Sequence, residues 1–505
     1  MGAGASAGVE AAIKVAGAPE LQATLGALPT ETKAKLLRAL AQVKVYGVPM
    51  SQNAVSPILL AMELKVGGLE FLNLQEGAHK KPEYLAVNPG GKIPGLEDGP
   101  VKIGESNAIL RYLANKYSPE LYPASDPAVC YRIDFAMDAF VSKAYPAHTK
   151  VVYPALGFGS MPEDIKAANQ EYGEQIAKWF KDHVAGKFVL GDKLSIADFK
   201  VLPFFFAAMQ PAVKALTGFT PAAKVVKYVE DVCAASPAAA GLLKSAGGFS
   251  IAEYLATKMP EKPVEATPAV EVEGPTSRVA GVAGAAGKVK VHGLPASMNS
   301  VGPILLAMET KSGAMEAVDA MGGGLKKPEY LAVNPLGQMP GLEDGTVKGG
   351  ESLSILRYLA LKYGSGLYPV ANPDVCARID FAMDDFGTRV YKAHVGAIYP
   401  IFGYASMPED KAAAGKAYVE AMEQWADAHL KGKFVAGDAL SIADFKAVPF
   451  FFCACQPGAM KMMDFKVPSR IEKYCEDFCA AVGASSFLKE AGGWALAEVI
   501  ASKAA

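Results

Sequence analysis

The sequence KKPEYLAVNPGGKIPGLEDG at residues 80–99 decides the fold, because it occurs twice in the chain. Residues 326–345 read KKPEYLAVNPLGQMPGLEDG, and the first ten letters of the two segments are identical. The alignment extends outward without a gap over residues 43–123 and 289–369, where most positions are identical. Solenoid repeats span only roughly 20 to 50 residues. The sequence therefore predicts two copies of one complete folding unit, copy one and copy two.

The predicted secondary structure of each copy changes once along its length. The first 80 or so residues alternate strand-like and helix-like runs, which predicts a small α/β layer. In copy one the strand-like runs lie at 43–47, 69–74, 93–96 and 101–103, and the helix-like runs lie at 53–66 and 105–117. Periodic helical segments follow from about residue 125 onward. We predict an α/β domain and an all-α domain in each copy, at 43–124, 125–258, 288–370 and 371–505.

Two segments have no counterpart in the repeat. Residues 1–42 carry leucines at helical spacing on both sides of Pro29, which predicts two short amphipathic helices. We favour a cap that packs on copy one, and the alternative is a docking surface for a protein partner. Residues 259–287 are rich in Pro, Glu, Val, Ala and Gly and are predicted to be a linker that leaves the placement of the copies unrestricted.

The composition narrows the classes of partner and compartment. Lys plus Arg number 50 against 52 for Asp plus Glu, with no basic run, which argues against nucleic acid as a partner. Of the seven cysteines only Cys130/Cys376 and Cys233/Cys479 recur between the copies, which favours a reduced, cytoplasmic compartment over shared disulfides or a zinc site. No apolar run is long enough for a membrane span. The start fits the weakly specific pattern for myristoylation of Gly2.

A helix start recurs in the second half of each copy. Ser195-Ile-Ala-Asp198 and Ser441-Ile-Ala-Asp444 fit a capping box, in which the serine and the aspartate satisfy each other's backbone N–H groups. This motif is structural rather than catalytic.

Several motifs, taken in order, resemble those of one enzyme family. Residues 88–99 followed by Glu105-Ser106 resemble the thioredoxin-like domain of glutathione transferases, and residues 334–345 followed by Glu351-Ser352 repeat the set. The resemblance extends to KVYGVPMS at 44–51, GAHKKPEY at 77–84, ESNAILRY at 105–112 and the capping boxes. It covers nearly all of both copies and is closest to the serine-type phi class of plants. It implies a glutathione transferase fold present twice.

The resemblance assigns two ends of a glutathione site. A cis-proline, Pro94 or Pro340, would expose the backbone of the preceding residue, Ile93 or Met339, to the cysteinyl part of the ligand. The helix that begins at Ser106 or Ser352 would receive the γ-glutamyl carboxylate at its positive end. The ligand's ammonium group would pair with a carboxylate at the preceding position, Glu105 in copy one and Glu351 in copy two.

The resemblance also assigns a catalytic hydroxyl, Ser51 in copy one and Ser297 in copy two. A free thiol has a pKa near 8.5, and its thiolate is the nucleophile. A serine O–H that donates to the sulfur favours the anion, and each pKa unit corresponds to about 1.4 kcal/mol. Tyr46 becomes His292 in copy two, so we interpret it as a strand residue. No cysteine lies at either serine position, which disfavours thiol exchange.

The glycine carboxylate of glutathione would be bound by basic residues, His79, Lys80 and Lys92 in copy one. The corresponding residues of copy two are Leu325, Lys326 and Gln338. Because Leu325 removes one carboxylate partner, we predict that copy one is the more active.

The resulting prediction is an enzyme of detoxification that conjugates glutathione to hydrophobic electrophiles, with hydroperoxide reduction as a further reaction. Glutathione is its co-substrate, and no metal is expected. The alternative is a non-catalytic docking or assembly module of the same fold, with at least copy two structural. Family members usually work as homodimers, so we predict that the two copies form that dimer internally, as a pseudodimer.

Overall fold

A computed structural model describes residues 30–245, 250–274, 288–489 and 495–504. Three predictions lie outside these residues: the first N-terminal helix, the modification of Gly2, and the second part of the linker. No single helix among the described residues is long and apolar enough to cross a membrane, although one bent pair, Ile196–Ala208 with Pro211–Thr217, passes by length and composition alone.

Each copy begins with a four-stranded mixed sheet. In copy one the strands are β1 (Val43–Gly47), β2 (Gly67–Phe71), β3 (Gly95–Asp98) and β4 (Val101–Gly104), and in copy two they are β5 (Val289–Gly293), β6 (Gly313–Ala317), β7 (Gly341–Asp344) and β8 (Val347–Gly349). The order is β2-β1-β3-β4 in the first sheet and β6-β5-β7-β8 in the second. The first pair along the chain is parallel and the other pairs are antiparallel.

Two predicted strand positions are wrong by about two residues. The run predicted at 69–74 is β2 at Gly67–Phe71, whose register pairs Val43 with Gly67. A side chain at Gly67 would place its Cβ 1.8 Å from the carbonyl oxygen of Val43, so glycine permits this close start of the strand. The run predicted at 93–96 is β3 at Gly95–Asp98, because the ladder with β1 and β4 begins only after Pro94.

Helices cover the sheet and then form the rest of each copy, as predicted. Those of the α/β parts are Gln52–Glu63, Ala78–Lys80, Pro82–Leu85, Ser106–Tyr117 and Pro119–Leu121 in copy one, and Met298–Glu309, Gly324–Lys326, Pro328–Val333, Ser352–Tyr363 and Ser365–Leu367 in copy two. The all-α part of copy one contains Pro127–Ala139, Phe140–Ala144, Tyr145–Ala155, Ile165–His183, Ile196–Ala208, Pro211–Thr217, Ala223–Ala235, Pro237–Lys244 and Ile251–Ala256. That of copy two contains Pro373–Asp385, Phe386–Val390, Tyr391–Ala397, Tyr399–Phe402, Lys411–His429, Ile442–Ala454, Pro457–Met463, Ser469–Ala481, Gly483–Ser485, Ser486–Lys489 and Leu496–Ala504.

The predicted capping boxes are present in both copies. The carboxylate of Asp198 accepts hydrogen bonds from Ser195 N at 2.8 Å, from Val189 N at 3.0 Å and from Tyr228 Oη at 2.6 Å. The motif therefore fixes the start of the buried helix Ile196–Ala208 and also joins it to two other segments.

The two segments outside the repeat pack on copy one where the structure describes them. In the helix Thr30–Leu40, Leu37 packs against the core and Arg38 donates to the carbonyl of Tyr117, which agrees with the cap interpretation. Residues 259–274 form no helix or strand, yet Val264 N donates to Ala215 O at 2.8 Å and Thr267 N to Gly218 O at 2.7 Å. This part of the linker is therefore held on copy one, contrary to the expectation of an unrestricted tether.

The two copies contact each other through a buried group of charged residues, which we call the charge cluster: Arg111, Asp134 and Asp138 of copy one, and Arg357, Asp380 and Asp384 of copy two. Each arginine donates at 2.7 Å to an aspartate of its own copy, Asp134 or Asp380. Both arginines also contact Asp384 at 3.3 Å, so this carboxylate bridges the copies. Ser354 of copy two donates to Asp138 at 2.7 Å.

The charge cluster predicts a large loss of stability when one arginine is removed. Arg111→Ala leaves buried carboxylates without their cation, which is expected to lower the free energy of unfolding by about 3 to 5 kcal/mol. Urea unfolding followed by tryptophan fluorescence measures the change. Lys150→Ala, which breaks an exposed ion pair with Glu171, is the control and should cost no more than about 1 kcal/mol. Equal effects of the two variants would contradict a structural role for the cluster.

Candidate functional site

The predicted site residues of both copies line one continuous cleft of ≈ 1460 Å³. The cleft contains the predicted residues Ser51, His79, Lys80, Lys92, Ile93, Pro94, Glu105 and Ser106 of copy one and Ser297, Gln338, Met339, Pro340, Glu351 and Ser352 of copy two. Lys326 is the predicted residue that does not belong to the described cleft wall. Helical-domain side chains, including Tyr145 and Tyr391, complete the wall.

The two serines hold the same position at the start of a helix. Ser51 caps the helix Gln52–Glu63, and its Oγ accepts a hydrogen bond from Ala54 N at 3.4 Å. Ser297 precedes Met298–Glu309, and its Oγ accepts from the Ser300 hydroxyl at 3.0 Å. Both hydroxyl oxygens act as acceptors within the protein, so each O–H remains able to donate to a ligand atom in the cleft.

The predicted cis-prolines are present: the peptide bonds Ile93–Pro94 and Met339–Pro340 are both cis. An asparagine side chain holds each turn. Asn88 Nδ2 donates to Lys92 O at 2.8 Å and to Pro94 O at 3.2 Å, and Asn334 makes the equivalent bonds in copy two. Tyr46, in β1, donates instead to Glu97 at 2.9 Å and lies outside the described cleft wall, as its interpretation as a strand residue requires.

The two acidic residues share an unusual backbone conformation. Glu105 and Glu351 each have a φ of 64°, a left-handed value that a non-glycine residue adopts at a cost. Each lies directly before the helix that begins at Ser106 or Ser352. The strained turn places the carboxylate on the cleft wall beside the positive end of a helix, which is a suitable pair for a ligand that carries both an ammonium and a carboxylate.

Each acidic residue is also held by a hydroxyl of the other copy. Thr388 of copy two donates to Glu105 Oε1 at 2.9 Å, and Ser142 of copy one donates to Glu351 Oε1 at 2.6 Å. Burial raises the pKa of Glu105, and it raises that of Glu351 to about 7. A ligand ammonium at this position would lower both pKa values again, because an opposite charge favours the carboxylate.

The opposite end of the site differs between the copies. In copy one His79 has a buried Nδ1 without a hydrogen-bond partner among the described residues, and Lys80 Nζ donates to Gly91 O at 3.1 Å. Lys92 is exposed and lines the cleft. Copy two presents Leu325 and Gln338 there. Copy one therefore presents three basic side chains on the cleft wall, whereas copy two keeps the corresponding Lys326, which lies beside Gly337 as Lys80 lies beside Gly91 but is outside the described cleft wall.

A buried lysine is the main site residue that the sequence reasoning missed. Lys200 Nζ donates to Ser106 Oγ at 2.7 Å and to Asn53 Oδ1 at 2.9 Å, and all three residues line the cleft. Lys446 repeats the arrangement with Asn299 at 2.7 Å and Ser352 at 3.2 Å. The sequence does contain a signal for these lysines. Each is the one charged residue, apart from the capping aspartate, in an otherwise apolar helix, and the pattern recurs in both copies.

The lysines are also electrostatically unusual. Burial lowers the pKa of Lys200 to about 8 and that of Lys446 to about 7. The cations are held beside the helix starts at Ser106 and Ser352, where a ligand carboxylate would strengthen the charged form. Ser142 and Thr388 were likewise missed, since nothing near them in the sequence marks a contact with the other copy.

The lowered pKa of Lys200 predicts a pH-dependent contribution to stability. The unfolded chain keeps this proton up to about pH 10.5, so above pH 8 the unfolded state binds more protons and stability rises with pH. Relative to the Lys200→Met variant, the free energy of unfolding of the parent should rise by roughly 1.5 kcal/mol between pH 8 and 9.5. Urea unfolding at each pH measures the difference. With Lys446→Met the relative gain should begin near pH 7. A difference that is constant with pH would contradict the lowered pKa values.

No group of three or more His, Cys, Asp or Glu side chains suited to a metal ion occurs within the described ranges.

Comparison with known proteins identifies the family. Models of the glutathione S-transferase N-terminal domain match residues 41–115 and 294–366. Glutathione S-transferase 3 of Zea mays is 34% identical over 215 residues, which cover 39% of this chain and 92% of that protein. Glutathione S-transferase PARB of Nicotiana tabacum is 28% identical over 213 residues, covering 40% and 98%. The solved structure of glutathione transferase F7 from Populus trichocarpa is 24% identical and covers 43% of this chain and 99% of its own, with a TM-score of 0.33.

The chain belongs to the glutathione S-transferase family and carries the N-terminal domain of that family twice. The resemblance to a tandem, phi-like member, which the motifs indicated, is confirmed.

Proposed function

We propose that this protein is a glutathione transferase that conjugates glutathione to electrophilic small molecules, with the thiolate stabilised by Ser51 and Ser297. The observation that carries the proposal is the assembly, in each copy, of a serine at a helix start, a cis-proline turn and a glutamate–serine helix start on one cleft wall. Glutathione is the co-substrate, and the cytoplasm is the compartment that fits the cysteine usage. Reduction of organic hydroperoxides is a second reaction of the same thiolate.

The site residues have distinct roles in this proposal. The serine O–H donates to the sulfur, and the helix behind it contributes its positive end, so both favour the thiolate over the thiol. The cis-proline turn pairs with the cysteinyl backbone. Glu105 or Glu351 binds the ammonium group, and the helix start at Ser106 or Ser352, supported by the buried lysine, binds the γ-glutamyl carboxylate. The electrophile would enter beside helical-domain residues such as Tyr145 and Tyr391.

Copy one is proposed as the more active site for glutathione itself. Lys80 and Lys92 provide positive charge and His79 an imidazole ring where the glycine carboxylate of glutathione would lie, and of this set copy two keeps Lys326, which is outside the described cleft wall. The loss of a charged hydrogen bond typically costs about 1.5 to 3 kcal/mol, enough to weaken binding by roughly one to two orders of magnitude.

Serine substitution tests the catalytic proposal. Glutathione-dependent turnover of a generic aryl halide and of an organic hydroperoxide is measured for Ser51→Ala, Ser297→Ala and the double variant. The double variant should lose about 100-fold in rate, because one preorganised donor to a developing anion is removed from each site. Ser51→Ala should cause the larger single loss.

Ser160→Ala is the matched control, since Ser160 is exposed and lies outside the described cleft wall. A double variant as active as the parent would show that the serines do not activate the thiol. A parent that turns over neither substrate would favour the docking or assembly module instead.

We also propose that the two copies act as an internal pseudodimer, in place of a dimer of separate chains. The charge cluster and the two hydroxyl contacts to Glu105 and Glu351 support this, since each joins copy one to copy two. Each glutathione site is then completed by a residue of the other copy.

Cross-copy substitutions test the pseudodimer. Thr388→Val, made in a Ser297→Ala chain so that copy one carries the turnover, should raise the KM for glutathione about tenfold through the lost hydrogen bond to Glu105. Ser142→Ala should do the same for copy two in a Ser51→Ala chain. The opposite pairings are the controls and should leave KM unchanged. If each substitution affected only the copy that contains it, the cross-copy assignment would be wrong.

A further inference from the structure

The predicted site of copy two differs from that of copy one more at one end than at the other. At the end that would hold the γ-glutamyl group, copy two keeps the same contacts as copy one. Ser142 donates to Glu351 at 2.6 Å, and Lys446 donates to Asn299 at 2.7 Å and to Ser352 at 3.2 Å. A site that had merely lost its function would have no reason to preserve a buried lysine and a left-handed glutamate, since both are costly to keep.

The opposite end of copy two has become apolar. Leu325 replaces His79, Leu336 replaces Gly90, and Met321 replaces Gln75. We call Met321, Leu325 and Leu336 the apolar rim, and all three line the cleft. Gln338 replaces Lys92 and also lines the cleft, so the change removes cations and adds hydrocarbon at the same place.

Two lysines remain near this end, outside the cleft wall. Lys143 of copy one lies beside Leu336, and Lys326 lies beside Gly337. Neither lysine belongs to the described wall of the cleft that holds Ser297 and Glu351. A ligand carboxylate in copy two would therefore face leucine, methionine and a neutral amide on the cleft wall, with fewer basic partners than in copy one to offset the loss of its hydration.

Within the apolar rim Met321 is exposed, whereas Leu325 and Leu336 are half-buried. Met321 is 89% exposed, the largest value among the exposed large hydrophobic residues of the described ranges. Large apolar side chains that line a cleft beside a polar binding site are typical of ligand contact.

We infer that the second site binds a γ-glutamylcysteinyl thiol whose carboxyl end is uncharged and apolar, such as an ester or an amide, rather than free glutathione. The inference rests on the proposed function, because it assumes that copy two holds a thiol of this class. Ser297, Met339, Pro340, Glu351 and Ser352 would bind the γ-glutamylcysteinyl part as in copy one. The apolar rim would cover the neutral carboxyl end, and copy two would be specialised instead of weakened.

Two thiols that differ only at the glycine carboxyl group test the inference: glutathione and its glycyl monoethyl ester, each with the same aryl halide. The full chain is used as Ser297→Ala, which reports copy one, and as Ser51→Ala, which reports copy two. For copy one, esterification should raise KM about tenfold. For copy two, KM should fall or stay level, so the ratio of the two KM values should differ at least tenfold between the copies. Equal ratios would overturn the inference.

Substitutions that exchange residues between equivalent positions of the two copies supply a second test. Leu325→His combined with Gln338→Lys, in the Ser51→Ala chain, should shift the preference of copy two toward free glutathione. His79→Leu in the Ser297→Ala chain should shift copy one toward the ester. The absence of any shift in both variants would mean that these residues do not set the preference.

Equilibrium binding separates this inference from the proposed catalysis. S-hexylglutathione and its glycyl ethyl ester cannot react further at sulfur, and isothermal titration of the parent chain reports their binding without turnover. The inference predicts two classes of site, of which one prefers the ester. If that preference is lost with Leu325→His and Gln338→Lys, the inference is supported even when no conjugation is found. Identical affinities of both compounds at both sites would overturn it, whereas turnover of glutathione alone would leave the proposed function intact.

Discussion

The charge cluster between the copies is the constraint on which the rest of the structure depends. Two arginines and four aspartates are withdrawn from water, and the desolvation of such a group is offset only when nearly every charge has a partner. Each arginine meets this requirement by reaching two carboxylates of its own copy and one of the other copy, which is Asp384 for Arg111 and Asp138 for Arg357. Burial raises the pKa of Asp384 to about 7, although both arginines act to lower it. These contacts join the two copies, and the predicted site residues of both copies line one cleft.

Much of the fold and of the site could be predicted because the deciding residues are neighbours in the sequence. The cis-proline turns, the capping boxes and the glutamate–serine helix starts each depend on residues within a few positions. The exact strand bounds could not be predicted in the same way, since the start of β2 depends on how closely Gly67 approaches β1.

The residues that were missed act over long separations. Lys200 meets Asn53 across 147 positions, and Thr388 meets Glu105 across 283. Such contacts depend on the docking of the helical domain on the sheet and of one copy on the other, which periodicity and local motifs do not encode. The internal repeat gave one usable hint, because a lysine within an apolar helix that is kept twice needs a buried partner.

The contacts between the copies are not all equivalent, and this has a consequence for how the protein can change. Tyr131 of copy one donates to Gly350 O at 3.0 Å, whereas the corresponding residue of copy two is Ala377 and has no hydroxyl. In a dimer of identical chains, every mutation appears at both sites at once, so neither site can diverge alone. When the two copies are fused in one chain, a mutation can change one site without changing the other. One half can preserve an ancestral specificity while selection reshapes the other, and a single polypeptide can hold two different chemistries in a fixed ratio of one to one.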